Sequence, residues 1–186
     1  GTFIHTGDWK IDKTPAIGPV TAEARFRELG DKGVLALMCD STNANRDGIS
    51  PSEADVAANL TKLIENAEGR VAITSFSSNI GRIKSIARAS EAAGRSVMLL
   101  GRSMKRMVEV ASELSYLDGL PPFISEDECS SIPRKNLVII LTGSQGESRA
   151  ALAKIANEEM RGIELTAGDT VVFSSRAIPG NEKPIN

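Results

Sequence analysis

Five short apolar runs recur along this chain, each followed or preceded by a helical pattern. They are Val34–Cys39, Val71–Thr74, Val97–Leu100, Leu137–Leu141 and Thr170–Phe173. Each run is nearly continuous rather than alternating, which suits strands covered on both faces, as in a parallel sheet. The segments between them carry helix signals. Ser50-Pro51-Ser52-Glu53 reads as a capping box with proline at the first helical position, and Val56, Leu60, Leu63, Ile64 and Ala67 follow at helical spacing until Gly69. Ile80, Ile83, Ile86, Ala87 and Ala93 mark a second helix closed by Gly94. Met104, Met107, Val108, Ala111 and Leu114 mark a third, and Ala151 with Ile155 a fourth. Strand and helix alternating in this way predict right-handed crossovers, and so an α/β fold with a doubly wound, mainly parallel sheet.

Two segments break the rhythm. Asp12–Val20 is rich in turn residues and leads into a short helix over Thr21–Gly30. Leu117–Asn136 holds three prolines and several acids and reads as a long surface excursion. The first residues, Gly1-Thr2-Phe3-Ile4-His5, read as the middle of a strand, which leads us to expect a piece of a larger chain.

The net charge is −2 over 186 residues, so the whole molecule carries no general attraction to nucleic acid. Its distribution is uneven. Ile80–Arg106 has seven basic residues against Glu91, a net of +6, while Met107–Ile132 has six acids and no base. One stretch is placed to face phosphates while the other stays away. Two cysteines, Cys39 and Cys129, make no disulfide framework and suit a reducing, cytoplasmic setting. No apolar run is long enough to span a membrane.

Ligands of parallel sheets bind beyond the carboxyl ends of the strands. The five runs here end in Asp40-Ser41-Thr42-Asn43, Ser75-Phe76-Ser77-Ser78-Asn79, Gly101-Arg102-Ser103, Thr142-Gly143-Ser144-Gln145-Gly146-Glu147 and Ser174-Ser175-Arg176. Small residues let backbone N–H groups approach a phosphate, and Arg82, Arg102 and Arg176 can supply charge. Five such loops on one edge predict a phosphate or sugar-phosphate site. No P-loop and no dinucleotide fingerprint is present. The single histidine, His5, cannot by itself build a catalytic triad or a two-metal centre, and Asp8 is one plausible metal ligand that also reads as a turn residue after Gly7.

Several stretches resemble the ribonuclease J family of metallo-β-lactamase-fold, β-CASP nucleases. His5-Thr6-Gly7-Asp8-Trp9-Lys10-Ile11-Asp12 is similar to its HTGDxKxD segment, and Cys39-Asp40-Ser41-Thr42-Asn43 to its acidic β-CASP motif. Gly69-Arg70-Val71, Phe76-Ser77-Ser78-Asn79-Ile80-Gly81-Arg82, Gly101-Arg102-Ser103-Met104, Pro133-Arg134, Thr142–Glu147 and Phe173–Glu182 resemble further segments in order. The resemblance implies cleavage of RNA with two zinc ions, as a 5′→3′ exonuclease and an endonuclease, in the cytoplasm and in an enzyme that is a homo-oligomer when intact. It implies that Asp8 is a metal ligand and that Asp40 is a catalytic-site acid. It further implies that Ser78, Asn79, Arg82, Ser144, Gln145, Ser174, Ser175 and Arg176 contact RNA phosphates. The family's H-x-H-x-D-H motif and its later histidines are absent. Residues 1–45 are therefore expected to be a flank of the metallo-β-lactamase domain, 46–180 the β-CASP domain and 181–186 the return, with the rest of the parent domain as partner. The chain alone is then expected to hold RNA without holding zinc or cutting. The competing readings are a Rossmann-like module binding a nucleotide or sugar phosphate, and a non-catalytic interaction domain using the acidic excursion.

Overall fold

The computed structural model describes residues 1–45 and 47–185. The chain forms two compact units, Gly1–Asp55 and Val56–Asn186.

In the first unit, β1 (Phe3–His5) and β2 (Ala36–Met38) pair in parallel, with His5 opposite Met38. Helix α1 (Glu23–Asp31) connects them. The run Val34–Cys39 therefore belongs to this small two-stranded sheet and not to the main one, which corrects the expectation of five strands in one sheet. Its residues are the least buried of the five runs: Leu35 is 70% and Leu37 54% exposed. An apolar run thus marked a strand here without marking which sheet would hold it. Trp9 and Phe26 lie with ring centroids 6.2 Å apart beside an open apolar hollow of about 380 Å³.

Helix α2 (Glu53–Asn66) opens with a reciprocal cap two residues later than the sequence pattern suggested, which leaves Pro51 ahead of the cap. The Ser52 hydroxyl accepts from the Asp55 N–H at 3.1 Å, and the Asp55 carboxylate accepts from the Ser52 N–H at 3.0 Å. Asp55, not Glu53, is the acid of the box, because it stands three residues after the serine that faces it. This carboxylate's pKa is held below its usual value, first by the Ser52 hydroxyl and then by the Ser52 N–H.

The second unit is built on β3 (Val71–Thr74), β4 (Ser96–Leu100), β5 (Leu137–Leu141) and β6 (Thr170–Phe173), all parallel, in the order β4-β5-β3-β6. All five side chains of β5 are fully buried. That explains the unbroken apolar run: a central strand with both faces covered has no position for a polar side chain. Each such side chain contributes roughly 1.5–3 kcal/mol by leaving water.

Side chains alternate between the faces. Ala72, Met98, Leu137, Ile139 and Leu141 share one face with Cys129, Ile155 and Ile163. The alternate residues Val71, Ile73, Val97, Leu99, Val138 and Ile140 are also buried and take the other. There helices α3 (Ile80–Ala92) and α4 (Arg102–Glu113) cover β4, through Ile83, Ile86, Met104 and Val108. Helix α5 (Ala151–Ala156) packs on the Cys129 face. The sheet is doubly wound because the connection from β3 runs to the far edge while that from β5 returns past β3, so right-handed crossovers put their helices on opposite faces.

The excursion over Leu117–Asn136 is more than a surface loop. Ile124 lies parallel beside Met98 and donates its N–H to the Val97 carbonyl at 2.9 Å, and Leu117 and Cys129 are buried. At the other end of the strands, Arg70 and Arg134 hold the loop before β6. Arg70 donates to the Glu164 carbonyl at 3.1 Å and Arg134 pairs with Asp169. Among the described residues no helix is long and apolar enough to cross a membrane.

Candidate functional site

The carboxyl ends of β3, β4 and β5 open onto a cleft of about 650 Å³ in the second unit. Its walls are small: Ser75, Ser77, Gly101, Ser103, Gly143 and Ser144. Two glycines permit this. Gly101 has φ +109°, and a Cβ there would meet the Thr142 hydroxyl at 2.9 Å. Gly143 has φ +122°, and a Cβ there would meet Leu152 Cβ at 2.8 Å. Both sit in backbone regions that side chains disfavour, so the loops after β4 and β5 close up only with glycine.

The cleft carries four basic side chains, Arg102, Lys105, Arg149 and Lys154, against Glu126 and Glu147. Lys105 is paired with Glu126, and the Glu147 carboxylate accepts the Gln145 N–H at 2.9 Å. No ion pair engages Arg102, Arg149 or Lys154 among the described residues, and all three are exposed. The acidic stretch of the sequence therefore does not stay away from the basic one. Glu126 reaches the cleft, and Glu109 pairs with Arg106. Arg95 has left the basic face altogether. It is 9% exposed and binds the Gly69 carbonyl at 2.7 Å and the Ala67 carbonyl, with burial lowering its pKa.

The loops named from the sequence are joined to one another. The Asn79 side chain caps α3 by accepting the Arg82 N–H at 3.0 Å. The Arg82 guanidinium donates to the Ser174 carbonyl at 2.9 Å and to its hydroxyl at 2.7 Å, so it ties the β3 loop to the β6 loop. Gln145 is 6% exposed and ties the β5 loop to the same segment. Its amide donates to the Arg176 carbonyl at 2.8 Å and to the Ser175 hydroxyl at 3.1 Å, while its oxygen accepts the Ile178 N–H at 2.8 Å. Ser175 in turn donates to the Ser144 carbonyl at 3.1 Å. Asn79, Arg82, Gln145, Ser174 and Ser175 thus hold the loops in place, whereas Ser78 and Arg176 are exposed. Sequence reading singled out Arg102 as a charge donor but missed Arg149 and Lys154. They follow the turn at Gly146 and the only signal was two bases near a helix start.

In the first unit, Asp8 lies three residues beyond β1 and Asp40 two residues beyond its parallel partner β2. The Trp9 indole N–H donates to the Asp40 carbonyl at 3.3 Å, so the two loops adjoin. The Asp40 carboxylate accepts the Thr42 hydroxyl and the Thr42 N–H, the latter at 2.9 Å, and these two bonds hold its pKa below the usual 3.8. It stays ionised at neutral pH. Among the described residues no three His, Cys, Asp or Glu side chains come together as a set that could hold a metal ion. Asp8 and Asp40 do not amount to a zinc centre by themselves.

The parallel α/β architecture of the second unit is consistent with a β-CASP domain. A family model described as Ribonuclease J, beta-CASP domain matches residues 68–186. The chain is 64% identical over its whole length to ribonuclease J of Sinorhizobium meliloti, 44% to that of Mycolicibacterium smegmatis and 42% to that of Thermus thermophilus. It covers 33%, 33% and 32% of those proteins, so it spans about a third of their length. The chain belongs to the ribonuclease J family.

Proposed function

We propose that this chain supplies the RNA-holding part of a metal-dependent nuclease that degrades and processes RNA. Residues 46–180 act as its β-CASP domain and residues 1–45 as a flank of the metallo-β-lactamase domain, with 181–186 leading back into it. The observation that carries this reading is the cleft at the carboxyl ends of β3, β4 and β5, with four bases against two acids and walls of glycine and serine. Such a surface suits a phosphodiester backbone, which is anionic, repetitive and bound through side-chain cations and backbone N–H groups.

In this reading Asp8 gives one carboxylate to a two-zinc centre completed by residues outside this chain. A zinc pair supplies an activated water and stabilises the charge on the phosphorus oxygens. Asp40, kept ionised by Thr42, positions a neighbouring catalytic group. The Arg82 and Gln145 ties hold the loops over which RNA runs, and the exposed Ser78 and Arg176 contact its backbone, with the buried Ser144 as part of the cleft wall. The exposed apolar side chains of the first unit, Phe3, Leu35 and Leu37 among them, support a covering partner, the remainder of the metallo-β-lactamase domain. The intact enzyme acts in both the 5′→3′ exonucleolytic and endonucleolytic modes, in the cytoplasm, as a homo-oligomer.

The test compares this chain with the full-length parent on 5′-monophosphorylated RNA. The parent should cleave in the presence of zinc, and the chain alone should bind RNA in a salt-dependent way and leave it intact. Zinc-dependent cleavage by the chain alone would overturn the division of labour. Strong thermal stabilisation by a mononucleotide, with none by longer RNA, would favour a Rossmann-like small-molecule module instead.

A further inference from the structure

We infer that Arg102, Arg149 and Lys154 form a phosphate-binding subsite for single-stranded nucleic acid in the cleft of the second unit, with Phe76 as its stacking surface. The inference rests on the reading that the parent acts on RNA, and it adds cationic and aromatic contacts to those of the loop residues named above.

Lys84 donates to the Tyr116 carbonyl at 2.8 Å, Arg95 to two carbonyls, and Arg106 and Arg134 pair with Glu109 and Asp169. Arg82 is held by Ser174. Among the described residues Arg102, Arg149 and Lys154 have no such partner, yet they reach one cleft from two different segments, the start of α4 and the loop and helix after β5. Like charges gathered in a concavity repel one another unless an anion sits among them. Selecting a fold that keeps them together is understandable when that anion is a ligand.

The cleft of about 650 Å³ is larger than a bare phosphate needs, and six of its lining residues are serine or glycine, which leaves room for an extended anionic chain. Phe76 lines it with 42% of its surface exposed. The backbone beneath that ring is pinned, because the Phe76 carbonyl accepts the Asn79 N–H at 3.0 Å and the Ser75 hydroxyl at 3.3 Å. An exposed aromatic ring on a fixed loop, beside cations, is how sequence-tolerant single-strand binders hold a base and its phosphate together. Gln145, Asn79 and Ser175 are poor candidates for the same task, since their polar atoms already face the protein.

The experiment uses the full-length parent protein and a fluorescent oligoadenylate, 5′-phosphorylated or 5′-hydroxyl, followed by anisotropy across a salt series. Arg149→Gln with Lys154→Gln should weaken binding about tenfold at moderate salt. It should also flatten the log–log salt slope by about 1.4, since each phosphate contact with a single strand contributes about 0.7. Phe76→Ala should weaken binding about tenfold and leave the slope unchanged, as expected for lost stacking. Arg106→Gln, whose partner is Glu109, should match the wild type. Equal losses on both oligonucleotides assign the cleft to internal phosphates, and a loss confined to the phosphorylated one assigns it to the terminus. Both outcomes uphold a phosphate subsite. Wild-type binding with unchanged affinity and slope in the double variant, at an unaltered melting temperature, overturns this inference alone. Absence of binding by the wild type overturns it together with the function proposed above. Should the double variant melt early, Lys154→Gln alone, at an exposed position, must still lower the slope by about 0.7, and an unchanged slope refutes the inference.

Discussion

Replacing Gln145 by leucine removes the tie between the β5 and β6 loops while keeping the volume of the side chain. The wild-type amide makes three well-formed hydrogen bonds, to the Arg176 carbonyl, the Ser175 hydroxyl and the Ile178 N–H, and a longer one of 3.4 Å from the Asn181 amide. A net contribution of about 0.5–1.5 kcal/mol for each of the three gives about 1.5–4.5 kcal/mol. The lower half of that range should apply, because Arg176 and Ile178 are exposed and water can take over the freed groups. We therefore expect about 2 kcal/mol. With a urea slope of about 2 kcal/mol per molar, this moves the unfolding midpoint down by about 1 M. Hydrogen exchange should localise the change. The Ile178 amide should lose its protection, whereas the β5 amides should slow or quicken only as the global stability dictates. RNA affinity should fall with the loop's order and recover partly in Gln145→Glu, which retains an acceptor for the Ile178 N–H. An unchanged midpoint together with an unchanged Ile178 exchange rate would refute the positioning role. Lost RNA affinity with both of these intact would make Gln145 a direct contact instead.

Two further outcomes follow from the same geometry. Gly143→Ala should destabilise the second unit by about 2–3 kcal/mol in thermal or urea unfolding, since the new methyl meets Leu152 Cβ at 2.8 Å and the backbone sits at φ +122°. An unaltered melting temperature would contradict that. Asp12 has its pKa lowered first by the Thr14 N–H and then by the Glu53 N–H, and Asp40 by the Thr42 hydroxyl. A depressed carboxylate stabilises the fold above its usual value of 3.8 and loses that effect as pH falls through its lower folded value. Asp12→Asn should therefore destabilise the chain at pH 7 and make no difference at about pH 2, as read from urea midpoints at the two pH values.

Much of the main sheet was legible because burial on both faces leaves an unmistakable trace. Leu137–Leu141 has no polar position to offer, and none is needed. The helices were legible for the complementary reason, since Ile83, Ile86 and Ala87 recur on one side only. Sheet membership was not legible. Val34–Cys39 is as apolar as the other runs, but which strand it pairs with depends on α1 and on β1, not on its own composition. The excursion was misread as surface because a single apolar residue, Ile124, makes the contact with β4, and one residue has no period. For the site, strand ends were correctly singled out as polar. Yet polarity alone does not distinguish a side chain aimed at a ligand from one that braces its neighbour. Gln145 and Arg82 brace. Arg149 and Lys154 looked like ordinary helix-surface bases, and only the course of the chain after Gly146 brings them to the cleft.

The two borders of the main sheet differ in what they can accept. Beyond β4 the border is occupied by Ile124, and the residues leading to it include Pro121 and Pro122, which have no N–H with which to recruit another strand. Beyond β6, among the described residues, no strand is paired, and Val171 and Phe173 remain 41% and 37% exposed. Growth of this sheet, whether by a further stretch of the same polypeptide or by a misplaced copy at high concentration, is thus open in one direction only. A solubilising change belongs on β6, where a lysine in place of Val171 would close that direction without disturbing the cleft.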